Sequence, residues 1–158
     1  MNYLTRQIVF REIPNEVSMS YLITGCALRC LGCHSADSWN AEGGKPLTLE
    51  TLTVHLQKYK EWITCVLFMG GEWHEAELIQ FCQLVRGQKI KTALYTGAEQ
   101  VSPQLLACLD YLKTGSYVRA LGGLDSKQSN QKLVNVFTGE ILNSYFINQE
   151  NQNNQEVL

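Results

Sequence analysis

Three cysteines stand within eight residues, in Cys26-Ala27-Leu28-Arg29-Cys30-Leu31-Gly32-Cys33, a C-x3-C-x2-C spacing. Six cysteines scattered over 158 residues would produce this fixed pattern about 0.009 times per chain, so the clustering calls for a chemical explanation. Thiolates are the usual ligands of iron-sulfur clusters, and a short loop can wrap one four-iron cube so that each sulfur meets a different iron. Three ligands, Cys26, Cys30 and Cys33, leave the fourth iron of a [4Fe-4S] cluster open. An open coordination position distinguishes a catalytic metal site from a closed structural one, and the amine and carboxylate of an amino acid could fill it. A structural zinc site or an electron-carrying cluster would instead need a fourth protein ligand, for which Cys65, Cys82, Cys108, His34 and His74 are the candidates. The three cysteines in that set lie in apolar stretches and read more simply as small buried hydrophobes. His34, next to Cys33, reads as packing beside the cluster or its cofactor.

The elements that must position this loop follow from where apolar runs stop. Four runs end in glycine: Tyr21-Leu22-Ile23-Thr24-Gly25, Cys65-Val66-Leu67-Phe68-Met69-Gly70, Thr92-Ala93-Leu94-Tyr95-Thr96-Gly97 and Tyr111-Leu112-Lys113-Thr114-Gly115. Each reads as a buried strand followed by a turn. Between them, Leu49, Leu52, Leu56 and Tyr59, and then Leu78, Phe81, Cys82 and Val85, recur at the spacing of one helical face. Ser102 and Pro103 before Leu105, Leu106 and Leu109 read as an N-cap and first-turn proline of a third helix. Strand alternating with helix predicts an α/β fold with a largely parallel sheet and right-handed crossovers, too short to close an eight-fold barrel. Gln7 to Arg11 predicts an edge strand, and Val136 to Leu142 a hairpin around Thr138-Gly139.

A formal net charge of -2 and the lack of any Lys/Arg run give no footprint for nucleic acid or an anionic membrane. No apolar stretch approaches the length needed to span a bilayer and the first residues carry no apolar leader, so a cytoplasmic protein with reduced thiols is expected. Residues 1–147 are expected to form one domain. Residues 148–158, with seven Asn or Gln among them, are expected to be a disordered polar tail.

With C-x3-C-x2-C after one strand and Gly70-Gly71-Glu72 after the next, the chain resembles the radical S-adenosylmethionine (SAM) superfamily. Within it, the Leu31-Gly32-Cys33 ending and the segment from Gly122 to Gln131, closing in Ser129-Asn130-Gln131, resemble the activating proteins of anaerobic (class III) ribonucleoside-triphosphate reductase. The resemblance implies a truncated radical SAM partial (β/α) barrel that binds a [4Fe-4S] cluster and SAM. It implies an oxidoreductase in which the reduced cluster cleaves SAM to methionine and a 5'-deoxyadenosyl radical, which takes a hydrogen from a glycine of the reductase. The residues at Gly70, Gly71 and Glu72 would hold the methionine amino group, a carboxylate facing an ammonium beside glycines that admit close approach. Thr96, in the next strand-end Thr-Gly pair, would line the cofactor pocket, as would His34, and Asn130 and Gln131 offer paired amides to SAM or to the partner. No catalytic residue beyond the cluster ligands is implied. The partners implied are the large subunit of anaerobic ribonucleoside-triphosphate reductase and a low-potential electron donor of flavodoxin or ferredoxin type.

His34-Ser35 after the third cysteine is more similar to the pyruvate formate-lyase activating enzymes, and Gly32 stands where many radical SAM proteins carry an aromatic residue. The reading adopted is a divergent reductase activator. Two alternatives stand beside it: a small radical SAM enzyme acting on a free metabolite, like 7-carboxy-7-deazaguanine synthase, and a non-catalytic iron-sulfur or zinc module.

Overall fold

Every strand that bears a candidate residue in its exit turn runs in the same direction, and this sets the architecture. The computed structural model describes residues 1–147; the segment expected to be a polar tail lies outside the described residues. In chain order the elements are β1 (Asn2–Val9), β2 (Ser18–Ile23), β3 (Lys45–Pro46), α1 (Leu49–Tyr59), β4 (Cys65–Met69), α2 (Glu75–Gly87), β5 (Lys91–Tyr95), α3 (Pro103–Leu106), β6 (Tyr111–Thr114) and β7 (Lys132–Asn135). Among the described residues they form one sheet of order β3-β1-β2-β4-β5-β6-β7. The four glycine-ended runs are β2, β4, β5 and β6, parallel and adjacent. The flanks differ from expectation. β1 is longer than the Gln7-to-Arg11 reading and is not an edge, because it pairs antiparallel with β2 on one side and β3 on the other. β7 is antiparallel to β6, so the sheet is mixed around a parallel centre. The expected hairpin shrinks to a turn after β7 in which Ile141 returns to bridge Val134.

The helices start where side chains can satisfy their free N–H groups. Thr48 Oγ1 accepts from the Thr51 N–H at 3.1 Å, and Ser102 Oγ from the Leu105 N–H at 3.1 Å. α3 stops after one turn, and Leu109, counted into it from spacing alone, falls beyond its end.

Side chains alternate along the strands, so each residue set has its own face. Met19, Tyr21, Ile23, Val66, Phe68, Leu94 and Leu112 pack beneath the helices, against Leu52, Leu56, Leu78, Phe81 and Val85. Cys65, Leu67, Ala93 and Tyr111 face the other way, on the side of the sheet opposite the helices. There the β1–β2 connection crosses the inner face and buries Ile13 completely, with Leu133 and Leu142 completing the cover. The connection is held from above, since the Tyr95 hydroxyl donates to the Glu12 carbonyl. Ile13 thus joins Leu133 and Leu142 in covering this side of the sheet. No described helix is long and apolar enough to cross a membrane.

If Ile13 is the plug of the inner face, Ile13→Ala should lower the unfolding free energy by about 3 kcal/mol. Phe10→Ala in the same connection, where Phe10 is 69% exposed, should change it by less than about 0.5 kcal/mol. Equal effects in denaturant titrations would contradict the plug.

Candidate active site

The cysteine loop leaves β2 through Thr24 and Gly25, and both are tied down. The Thr24 N–H donates to the Asn2 carbonyl at 3.0 Å and its hydroxyl lies 3.2 Å from the Ala41 carbonyl, while the Gly25 N–H donates to Ser38 O at 2.7 Å. Residues 25–41 therefore form a closed loop with a fixed base. Within it, Gly25, Arg29 and Gly32 all have positive φ, so the chain repeatedly turns back on itself and the cysteines between them face one side. Cys33 is further held by its N–H to Cys30 O at 3.1 Å, and its sulfur accepts from the Ser35 N–H at 3.4 Å.

Cys26, Cys30 and Cys33 all line a single cavity of about 500 Å³, together with His34, Gly70, Glu72, Thr96 and Gln131. A volume of this order suits a small-molecule ligand. His34 stands at its rim, its ring 5.6 Å from that of Tyr117, which also borders the cavity. Among the described residues no three Cys, His, Asp or Glu side chains converge as they would around one metal ion; the thiols share a wall. The other cysteines stay away from it. Cys65 and Cys82 are fully buried in the two cores, and burial raises both thiol pKa values, that of Cys82 to about 12. Neither they, Cys108 nor His74 border the cavity.

At the end of β4 two consecutive glycines adopt positive φ, Gly70 at 85° and Gly71 at 108°. That turn swings Glu72 into the cavity wall. One carboxylate oxygen, Oε1, accepts from the Thr96 hydroxyl at 2.5 Å, and Thr96 Oγ1 in turn accepts from the Ala98 N–H at 2.9 Å. The other oxygen, Oε2, is buried without a partner. Gly71 itself turns away from the cavity, toward Met1 and Ile23; a Cβ there would stand 3.3 Å from the Met1 sulfur.

Three residues that spacing alone did not single out complete the site. Strand pairing aligns Leu22 with Met69, Met69 with Tyr95 and Tyr95 with Lys113, one row across β2, β4, β5 and β6, and all four line the cavity. Its last member is an amine. Lys113 is 8% exposed, and its Nζ donates to the carbonyls of Gly115 at 2.9 Å and Thr96 at 3.4 Å, two of the three bonds an ammonium can make. Burial pulls its pKa down to about 8 against the opposing pull of Cys30, Cys33 and Glu72. Tyr95 and Trp73 are the other two. A signal existed for Tyr95 and Lys113: each sits two residues before the glycine that ends its strand.

Asn130 and Gln131 clasp the exit of β6 from below. Gln131 Nε2 donates to Gly115 O at 3.2 Å and faces the cavity, whereas Asn130 Nδ2 donates to Ser116 O at 3.0 Å and stands behind the wall, with Oδ1 buried and unpartnered.

These residues fit the implied groups. Three thiols on one loop can hold a four-iron cube and leave a corner free. An unpartnered carboxylate oxygen is a receptor for an ammonium, and a buried lysine with a spare proton is one for a carboxylate. A carboxylate and an amine thus border the same cavity as the thiols.

Residues 16–137 match the family described as a 4Fe-4S single cluster domain, and the chain belongs to it. Among curated relatives, the pyruvate formate-lyase-activating enzyme of Clostridium pasteurianum is 41% identical over 78 residues, 46% of this chain and 33% of that protein. The pyruvate formate-lyase 1-activating enzyme of Escherichia coli K12 is 38% identical over 52 residues, 30% of this chain and 21% of its own. The 7-carboxy-7-deazaguanine synthase of Hyperthermus butylicus is 34% identical over 70 residues, 40% of this chain and 29% of its own. The matched segment thus spans a third or less of each of these proteins.

Burial of Lys113 has a measurable sign. Between the folded value near 8 and the ordinary 10.5 the unfolded chain holds more protons, so the group opposes folding at neutral pH and the penalty is released as pH rises. Relative to Lys113→Met, the metal-free wild-type protein should gain about 2 kcal/mol of stability from about pH 7.5 to about pH 9.5. A pH-independent difference in urea midpoints would show that the amine is solvated.

Proposed function

We propose that the chain is a radical SAM activase that generates a glycyl radical on a partner enzyme, with Cys26, Cys30 and Cys33 holding a [4Fe-4S] cluster. The observation that carries the reading is that Glu72, whose Oε2 is buried without a partner, borders the same cavity as the three thiols. A carboxylate oxygen kept dry and without a donor costs free energy in the empty protein, and an N–H of a ligand amine would offset that cost. When bound, the cluster and SAM supply a hydrogen-abstracting radical.

The chain's own residues do the positioning. Thr96 holds one Glu72 oxygen so that the other faces the ligand amine, and Lys113 meets the ligand carboxylate. Together they orient an amino acid end-on toward the thiol wall, where the open iron would lie. His34 and Tyr117 border the cavity with ring faces suited to a planar base. Leu22, Met69 and Tyr95 form a floor that carries no exposed nucleophile, which suits a site that must exclude side reactions.

The partner we propose is the large subunit of anaerobic ribonucleoside-triphosphate reductase, with a flavodoxin- or ferredoxin-like donor. Support comes from the resemblance of the Gly122-to-Gln131 segment, closing in Ser129-Asn130-Gln131, to the reductase activators. The partial likeness to pyruvate formate-lyase activating enzymes supports a protein glycine as substrate in general. The partial likeness to 7-carboxy-7-deazaguanine synthase favours a second reading, a free metabolite.

Anaerobically reconstituted protein with a low-potential reductant should convert SAM to 5'-deoxyadenosine, and Cys26→Ser, Cys30→Ser or Cys33→Ser should each abolish this by more than about 100-fold. Co-incubation with the reductase subunit should yield a glycyl doublet by electron paramagnetic resonance, and co-incubation with pyruvate formate-lyase should not. SAM cleavage without a doublet on either protein would favour the metabolite reading. No SAM cleavage at all would end the radical SAM assignment.

A further inference from the structure

The two loops that would hold cluster and cofactor leave different strands, yet one side chain joins them. Trp73 follows Glu72, and its indole N–H reaches across to donate to the Thr24 carbonyl at 3.1 Å, at the last residue before the cysteine loop turns out at Gly25. The ring lies against both loops' exit glycines. A Cβ on Gly25 would stand 3.1 Å from Trp73 Nε1, and one on Gly70 would stand 2.6 Å from Cη2. Both glycines have positive φ, 96° and 85°, so each is free of a side chain at the place where the indole needs room. The ring also packs on the helix-side core and borders the cavity.

The geometry points to Trp73 as a positioning residue that locks the Gly70–Glu72 turn to the base of the cysteine loop, fixing where a ligand held by Glu72 sits relative to the three thiols. This inference rests on the proposed function and deepens it. Trp73 has no reacting atom to offer. Its effect runs through Glu72 on one side and Thr24 on the other. Without the indole the Glu72 turn would keep its Thr96 bond and the β2–β4 pairing that ends at Met69 but lose its hydrogen bond to Thr24, and the thiol loop would keep its Ser38 and Ala41 ties. Each half-site would survive while their registration loosened. A shift of about 1 Å between bound groups is enough to cost a large factor in reactivity.

Two measurements test this on the full-length protein, reconstituted anaerobically. The first compares wild type with Trp73→Phe, which keeps an aromatic ring and loses the N–H. Iron content should stay at about four per chain, while SAM affinity, read from the change in the spectrum of the reduced cluster, should fall about fivefold to tenfold. The ratio of 5'-deoxyadenosine formed to glycyl radical formed should rise. Full iron content with SAM affinity within twofold of wild type would overturn the proposal.

The second needs no substitution at the clamp. The chain has three tryptophans, Trp39, Trp62 and Trp73, and labelling with 5-fluorotryptophan gives each a fluorine resonance, assigned by Trp39→Phe and Trp62→Phe with Trp73 as the remainder. The Trp73 signal should move when the cluster is loaded and again when SAM is added, while that of Trp62, 76% exposed, should not. A Trp73 signal unmoved by both additions would overturn the proposal even if Trp73→Phe fails to hold iron. Failure of the proposed function looks different: wild type would show no spectral response to SAM, while a shift of Trp73 on cluster loading would still report the clamp to the thiol loop.

Discussion

The structure depends on the coincidence of four strand ends. β2, β4, β5 and β6 run parallel and in register, so that Leu22, Met69, Tyr95 and Lys113 form one row and the turns after each strand open onto the same space. Parallel strands each need a crossover, and here α1, α2 and α3 return the chain to the far end every time, which places every exit turn on one side. A loop of cysteines, a pair of glycines with a glutamate, a threonine and a lysine are far apart in sequence. The sheet makes them neighbours.

The same arrangement shows where stability gives way to chemistry. The two cores are apolar and closed, with Tyr21, Phe68, Leu78 and Leu94 fully buried on one face and Ile13, Leu67 and Leu133 on the other. At the strand ends the polarity changes abruptly. An unpartnered carboxylate oxygen, a lysine pressed toward neutrality and an unpartnered amide oxygen of Asn130 gather within or just behind one wall. Each costs free energy in an empty protein, since buried polar groups are normally paired. The two closed cores on either side of the sheet supply the stability that offsets these costs.

Much of this was legible in the residues. The C-x3-C-x2-C loop, the glycine ends of the four strands, and the faces of α1 and α2 followed from spacing and periodicity, because local rules dominate there. Glu72, Thr96 and Gln131 were placed in the site by resemblance and do border the cavity, whereas Gly71 and Asn130 stand behind it. Lys113 and Tyr95 were not seen, since strand register, a non-local property, decides which residue before a glycine faces inward. β1 was read as a short edge because its outer neighbour is β3, a two-residue strand with no pattern of its own. The inner plug formed by Ile13 was equally hidden: a single isoleucine in a polar connection carries no period. Trp73 carried no signal in the sequence, and only the folded chain shows its indole at the base of another loop.

The central claim is that three thiols leave one iron open for the amino-acid end of SAM. Electron-nuclear double resonance on the reduced protein with SAM labelled with nitrogen-15 at its amino group and oxygen-17 at its carboxylate tests it directly. The account predicts strong hyperfine coupling from both labels to the cluster, as expected for atoms bound to iron. A cluster that forms and reduces normally but shows no coupling to either label would contradict it.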